Sequence, residues 1–284
     1  MNVYLRAKND SKSFIKLLLL LMIPFALYGF YKNGILLYKK DLINLFSLFK
    51  VPFLVCISII ITYILKKLFE EDFISYRLLL NIFISIITPA KTNIIVFIVL
   101  LVLLNILYKF KKINIPLIYM ILYIFTSYLF KNLSYQNIYE ESVVHNYTLT
   151  NYLFGCGSGG ISNTLTIYSI LSFIYLITKF EYKKHIPITA FVVYYVLITI
   201  SFLLGNNADI NFTLNNNLIF AFVYLNTISI FTPYTKGGNY IYGFVLGLFT
   251  FLFSFLDINI GVYITSLILS LCYPLFDKII LKIK

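Results

Sequence analysis

Tryptophan is absent from these 284 residues, and acidic residues are scarce: 11 Asp and Glu against 23 Lys and Arg. Charged residues make up only 12% of the chain and hydrophobic ones 60%, with a mean hydropathy of +0.88. A soluble domain carries about 25% charged residues. So little charge cannot cover a water-facing surface of this size, which excludes a single soluble domain. Cysteine is nearly absent too. Cys56, Cys156 and Cys272 lie far apart and form no CxxC pair, so neither a zinc site nor an iron–sulfur run is indicated. They read as buried apolar thiols. The +12 net charge comes from short basic clusters between apolar runs. That is the pattern of membrane topology rather than of nucleic-acid binding.

What is present is long apolar runs. A helix needs roughly 20 residues to cross the hydrocarbon core. Segments at about 14–31, 46–65, 74–90, 92–108, 113–130, 161–178, 186–204, 217–233, 239–256 and 258–277 meet or approach that length. The chain reads as an all-α polytopic membrane protein with about ten transmembrane helices and the lipid bilayer as its surroundings. Most Lys and Arg fall on one side if the N-terminus is inside, which places both termini in the cytoplasm and the protein in the cytoplasmic membrane. Lys32, Lys39, Lys40 and Lys50 then crowd the first external loop. The division expected is a first membrane repeat over 1–131, an external loop over 132–160 and a second repeat over 161–284.

Two hexapeptides support that division. ISIITP ends at Thr88-Pro89 and ISIFTP at Thr232-Pro233, and 232 minus 88 gives an offset of 144 residues, about half the chain. Proline lacks the donor N–H and turns its predecessor away from helical geometry, so the third and eighth segments should stop there. Five segments per half make the halves inverted. Helices broken near the midplane then mark a ligand site.

Polar candidates are few. Asp277 stands at the last position of the tenth segment, and no Asp or Glu lies deeper in any of them. This argues against a carboxylate relay within the chain. Asn81, Asn105 and Asn226 lie within spans and read as interhelical hydrogen-bonding residues. The run Gly155-Cys156-Gly157-Ser158-Gly159-Gly160 precedes the sixth segment. It has two readings: an anion site of backbone N–H groups at a helix start, or a tightly packed re-entrant turn. Glu140, Glu141 and His145 read as solvated loop residues, with no metal site.

Several stretches, taken in order, carry a resemblance. FGCGSGGISNT (154–164), YLI (175–177), HIPI (185–188), TPYTKGG (232–238), IYGFVLGLFTFLF (241–253) and the PLFD ending at Asp277 resemble the membrane subunit family NqrB/RnfD. The likeness is good over about 140–280 and loose in the N-terminal half. It implies two inverted five-helix repeats, similar to the urea-transporter fold. It also implies a subunit of an ion-translocating, flavin-containing oxidoreductase, with other membrane subunits of an electron transport complex as partners and no nucleic acid. The cofactor implied is FMN or riboflavin. Family members carry FMN as a phosphoester on a threonine of an S-G-A-T motif, and VHNYT (144–148) places Thr148 there, with His145-Asn146-Tyr147 in place of Ser-Gly-Ala. By the same resemblance Gly157, Gly159, Gly160, Ser162 and Thr164 contact a phosphate or the isoalloxazine, and Thr232 and Thr235 line a matching half-site. Two other readings fit the uncharged interior: a transporter or channel for a small neutral solute, and a non-redox structural subunit.

Overall fold

The computed structural model describes residues 8–69, 72, 74–110, 113–130, 149–155, 159–205, 215–256 and 258–283. Within them every regular element is helical. The principal helices are α1 (Lys8–Phe30), α2 (Lys50–Phe69), α3 (Tyr76–Ile87), α4 (Ile94–Phe110), α5 (Ile115–Phe130), α6 (Thr166–Ile177), α7 (His185–Leu203), α8 (Asn216–Val223), α9 (Lys236–Ser254) and α10 (Ile258–Ile283). Each falls on one of the ten apolar segments. Five stretches are long and apolar enough to cross a membrane: Lys12–Lys39, Lys50–Phe69, His185–Leu203, Lys236–Ser254 and Ile260–Leu281. Shorter apolar helices stand at Tyr76–Ile87, Ile94–Phe110, Ile115–Phe125 and Thr166–Ile177. This is a multi-pass membrane protein.

The first helix departs from expectation. It does not end near residue 31 but runs on through a π-helical stretch, Tyr31–Leu36, to a last turn at Leu37–Lys39. Lys32, expected in a solvated loop, is only 1% exposed. The wider π turn re-aims the side chains after Phe30, and Lys32 and Asn33 point at the second half of the chain. Cys56 corrects another expectation. It is exposed on an outward helix face, and both Cys56 and Cys272 are free thiols.

Helices α3 and α8 form the centre. All eight residues of α8 are buried, as are ten of the twelve in α3. A helix apolar on every side belongs inside a bundle. Their partners pair alike in the two halves. α3 lies against α1, α2 and α5, and α8 against α6, α7 and α10. α4 packs on α5 as α9 packs on α10, and α5 meets α10 between the halves. Phe25 of α1 joins the two centres, edge-on to Phe220 (5.5 Å) and Tyr224 (5.8 Å), while Phe83 of α3 is edge-on to the same Phe220 (5.8 Å).

The polar side chains within the bundle bond across helices. Asn81 and Asn105 exchange hydrogen bonds (Asn105 Nδ2 to Asn81 Oδ1, 2.8 Å), and Asn81 also donates to Thr62 (2.8 Å). Asn226 donates to Ser266 (2.7 Å) and accepts from Tyr242 (3.3 Å). Each such pair avoids leaving an amide unsatisfied in an apolar medium, which would cost about 1–3 kcal/mol.

Candidate functional site: two helix breaks and a glycine segment

Thr88-Pro89 stops α3 as expected, but α8 has already ended at Val223 and the chain reaches Thr232-Pro233 through two 3₁₀ turns; the two Thr-Pro breaks are nonetheless built by one device. Thr88 and Thr232 are extended (φ −57°, ψ 133° and φ −135°, ψ 152°), the geometry a following proline enforces. Each threonine hydroxyl turns back to the carbonyl four residues earlier, Thr88 to Ile84 (2.6 Å) and Thr232 to Ile228 (3.1 Å). Each break is also held by a lysine at the entry of the second helix of its half. The Lys50 ammonium donates to the Ala90 carbonyl. The Lys183 ammonium meets four oxygens: Thr232 Oγ1 (2.6 Å), Pro233 O (2.7 Å), Thr232 O (3.1 Å) and Ser229 O (3.4 Å).

The second break has a further closure. The Asp277 carboxylate of α10 accepts from the Tyr234 N–H (2.9 Å), the Thr235 N–H (2.9 Å) and the Thr235 hydroxyl (2.7 Å). Thr235 in turn caps α9 by accepting from the Gly238 N–H (3.0 Å), a standard N-cap contact. The hydroxyls of Thr232 and Thr235 are thus engaged within the chain, and they do not present a free cradle for a cofactor.

The glycine segment lies against the first break. Ile161 N–H donates to the Thr88 carbonyl (2.7 Å) and Ser162 N–H to the Ile86 carbonyl (3.1 Å), so the segment satisfies carbonyls at the C-terminal end of α3. A Cβ on Gly160 would collide with the Ile87 backbone, so only glycine allows this approach. Of the two readings of the run, tight packing holds at Gly160. Gly159, Ser162 and Thr164 are buried beside it, Ser162 against Gly29 of α1. Lys32 donates to the Gly155 carbonyl and to Thr164 Oγ1 (3.3 Å), and Asn33 donates to the Ile161 carbonyl (2.6 Å). Asn163 donates to Asn217 Oδ1 (2.9 Å), which also accepts from Tyr263 (2.9 Å).

Three buried polar atoms in this cluster have no hydrogen-bond partner among the described residues: Ser162 Oγ, Asn163 Oδ1 and Asn33 Oδ1. Other orphaned atoms, such as Ser58 Oγ and Thr250 Oγ1, are scattered through the bundle, whereas these three lie together, and a cluster of orphaned polar atoms calls for an explanation such as a ligand. This corner therefore fits a small polar edge of a cofactor, with the Lys32 cation beside it. Thr148, Gly157, Glu140, Glu141 and His145 lie outside the described residues. Among the described residues no group of three His, Cys, Asp or Glu side chains could hold a metal.

Sequence reasoning missed Lys32, Asn33, Lys183 and Arg77 as parts of the interior. Arg77 is 2% exposed. It donates to the Asn105 carbonyl (2.9 Å) and lies over the rings of Phe69 (5.1 Å) and Tyr108 (5.0 Å). Their signal was weak, because a lysine or arginine at the edge of an apolar run normally reaches water.

The fold and the two breaks define a helical multi-pass membrane protein whose centre is a pair of short helices, each followed by a Thr-Pro break. Residues 135–284, just over half of the chain, match the family described as NQR2, RnfD, RnfE, and the protein belongs to that family. Membership implies a subunit of an Rnf/Nqr complex. No curated protein matches the chain.

Proposed function

We propose that this chain is the flavin-holding membrane subunit of an Rnf- or Nqr-type electron transport complex, supporting transmembrane electron transfer coupled to ion translocation. The family match over the second half is the observation that carries the reading. The three orphaned polar atoms beside Lys32 support it locally. Ser162 and Asn163, with Asn33, would hold a polar edge of FMN or riboflavin. By the resemblance Thr148 is the candidate for a phosphoester, and Gly157 and Gly159 are candidates to contact the phosphate. Gly160 and Thr164 shape the floor, Gly160 by close packing and Thr164 by accepting from Lys32. Thr232 and Thr235 form the matching break. A bound flavin supplies the one- and two-electron chemistry. The chain positions it, keeps water out with α3 and α8, and sets the local charge through Lys32.

We read the two halves as inverted repeats of the urea-transporter type. The same Thr-to-Ile bond at each break, the lysine at each break and the like pairing of helices support that reading. The test of the cofactor is in-gel fluorescence of the denatured protein, wild type against Thr148→Ala. A fluorescent wild-type band that vanishes in the variant is the result expected for attachment at Thr148. A band unchanged in the variant would remove Thr148 from the site, leaving the Ser162–Asn163 corner to be judged by non-covalent flavin.

A further inference from the structure

The N-terminal halves of α7 and α9 leave an open groove of about 410 Å³ between them, walled by Ile188, Val192, Ile241 and Phe244 with Tyr240 and Thr189. The Thr189 hydroxyl is turned back to the carbonyls of His185 (2.7 Å) and Ile186 (3.1 Å). What the groove presents is therefore apolar surface, and Val192 and Phe244 are more than half exposed.

One end of the groove is basic. The His185 ring stacks on Tyr240 with centroids 4.6 Å apart. Lys184 precedes His185, and Lys236 stands about one helical turn before Tyr240. Both lysines are exposed, both act electrostatically on His185, and neither ammonium group has a hydrogen bond or ion pair with a described residue. The neighbouring cations are engaged elsewhere, Lys183 at the second break and Lys179 over the Tyr175 ring (4.5 Å). The Asp277 carboxylate at this end faces the backbone of Tyr234 and Thr235. Both helices begin here, so their positive dipole ends add to the same field.

An apolar groove that opens at a pair of unengaged lysines fits an amphipathic anion. We propose that it binds one anionic phospholipid, its acyl chain along α7 and α9 and its phosphate between Lys184 and Lys236. A quinone would want a hydrogen-bond donor inside the groove, and a neutral partner helix would leave both lysines unanswered. The site is independent of the flavin reading.

The test is native mass spectrometry of the detergent-purified full chain titrated with phosphatidylglycerol or phosphatidylcholine of the same chain length. One phosphatidylglycerol should bind several-fold more tightly than phosphatidylcholine. Each of Lys184→Gln and Lys236→Gln should weaken phosphatidylglycerol about fivefold, as expected for one surface cation near an anionic lipid, and leave phosphatidylcholine unchanged. Val192→Trp, which fills the groove from an exposed position, should weaken both lipids. Equal binding of the two lipids, or full phosphatidylglycerol preference in the double lysine variant, would overturn the proposal. So would displacement of the lipid by a short-chain quinone at equal concentration.

Discussion

The two helix breaks share a backbone and differ in what closes them. At Thr88-Pro89 the closure is mainly backbone: the chain at Ile161 and Ser162 pairs with the carbonyls of Thr88 and Ile86, and Gly160 lies on Ile87. At Thr232-Pro233 it is mainly charged side chains, Lys183 from one side and Asp277 from the other. The preceding helices differ accordingly. α3 is regular to Ile87, whereas α8 stops at Val223 and reaches its proline through two single 3₁₀ turns, Leu225–Thr227 and Ser229–Phe231. A backbone closure tolerates no added atom but is indifferent to salt. A charged closure tolerates small changes of shape but depends on each ion.

That contrast can be broken at either end. Gly160→Val should have the largest effect. It drives a branched side chain into the Ile87 backbone, and overpacking of this kind costs about 3 kcal/mol or more. Circular dichroism melts of the protein in detergent would show the midpoint fall, and an unchanged midpoint would mean that the glycine segment does not lie on α3. Lys183→Met should come next, at about 2 kcal/mol, since it strips a charged donor from four oxygens; Lys50→Met removes a single acceptor's partner and should cost about half as much. Equal losses at the two lysines would erase the distinction between the breaks. Thr235→Ala is the smallest, about 1 kcal/mol for a lost N-cap, and limited proteolysis at the start of α9 should detect the loosened end.

How much of this was legible in the sequence follows from the range of each cause. Hydropathy and proline act locally, so the ten segments and the Thr88-Pro89 stop of α3 could be read directly, whereas the early end of α8 at Val223, before Thr232-Pro233, could not. Membrane-spanning Asn81, Asn105 and Asn226 were legible as hydrogen-bonding residues because an apolar medium gives an amide few other choices. Lys32 was not. Its burial depends on a π turn and on Thr164, which lies 132 residues later. Arg77 likewise sits at the edge of an apolar run, and only α4, with Asn105 and Tyr108, reveals that it is covered. The packing partner of Gly160 belongs to the other half of the chain. At Thr235, resemblance marked the residue, but the structure assigns its hydroxyl to Asp277 and Gly238 rather than to a free cradle.

Flavin content of the protein reconstituted in nanodiscs bears most directly on the proposed role. Acid extraction of the wild type, with covalent flavin counted in the pellet, should give close to one flavin per chain, with most of the extractable fraction lost in Ser162→Val. A folded protein with a normal melt and no flavin in either fraction would contradict it.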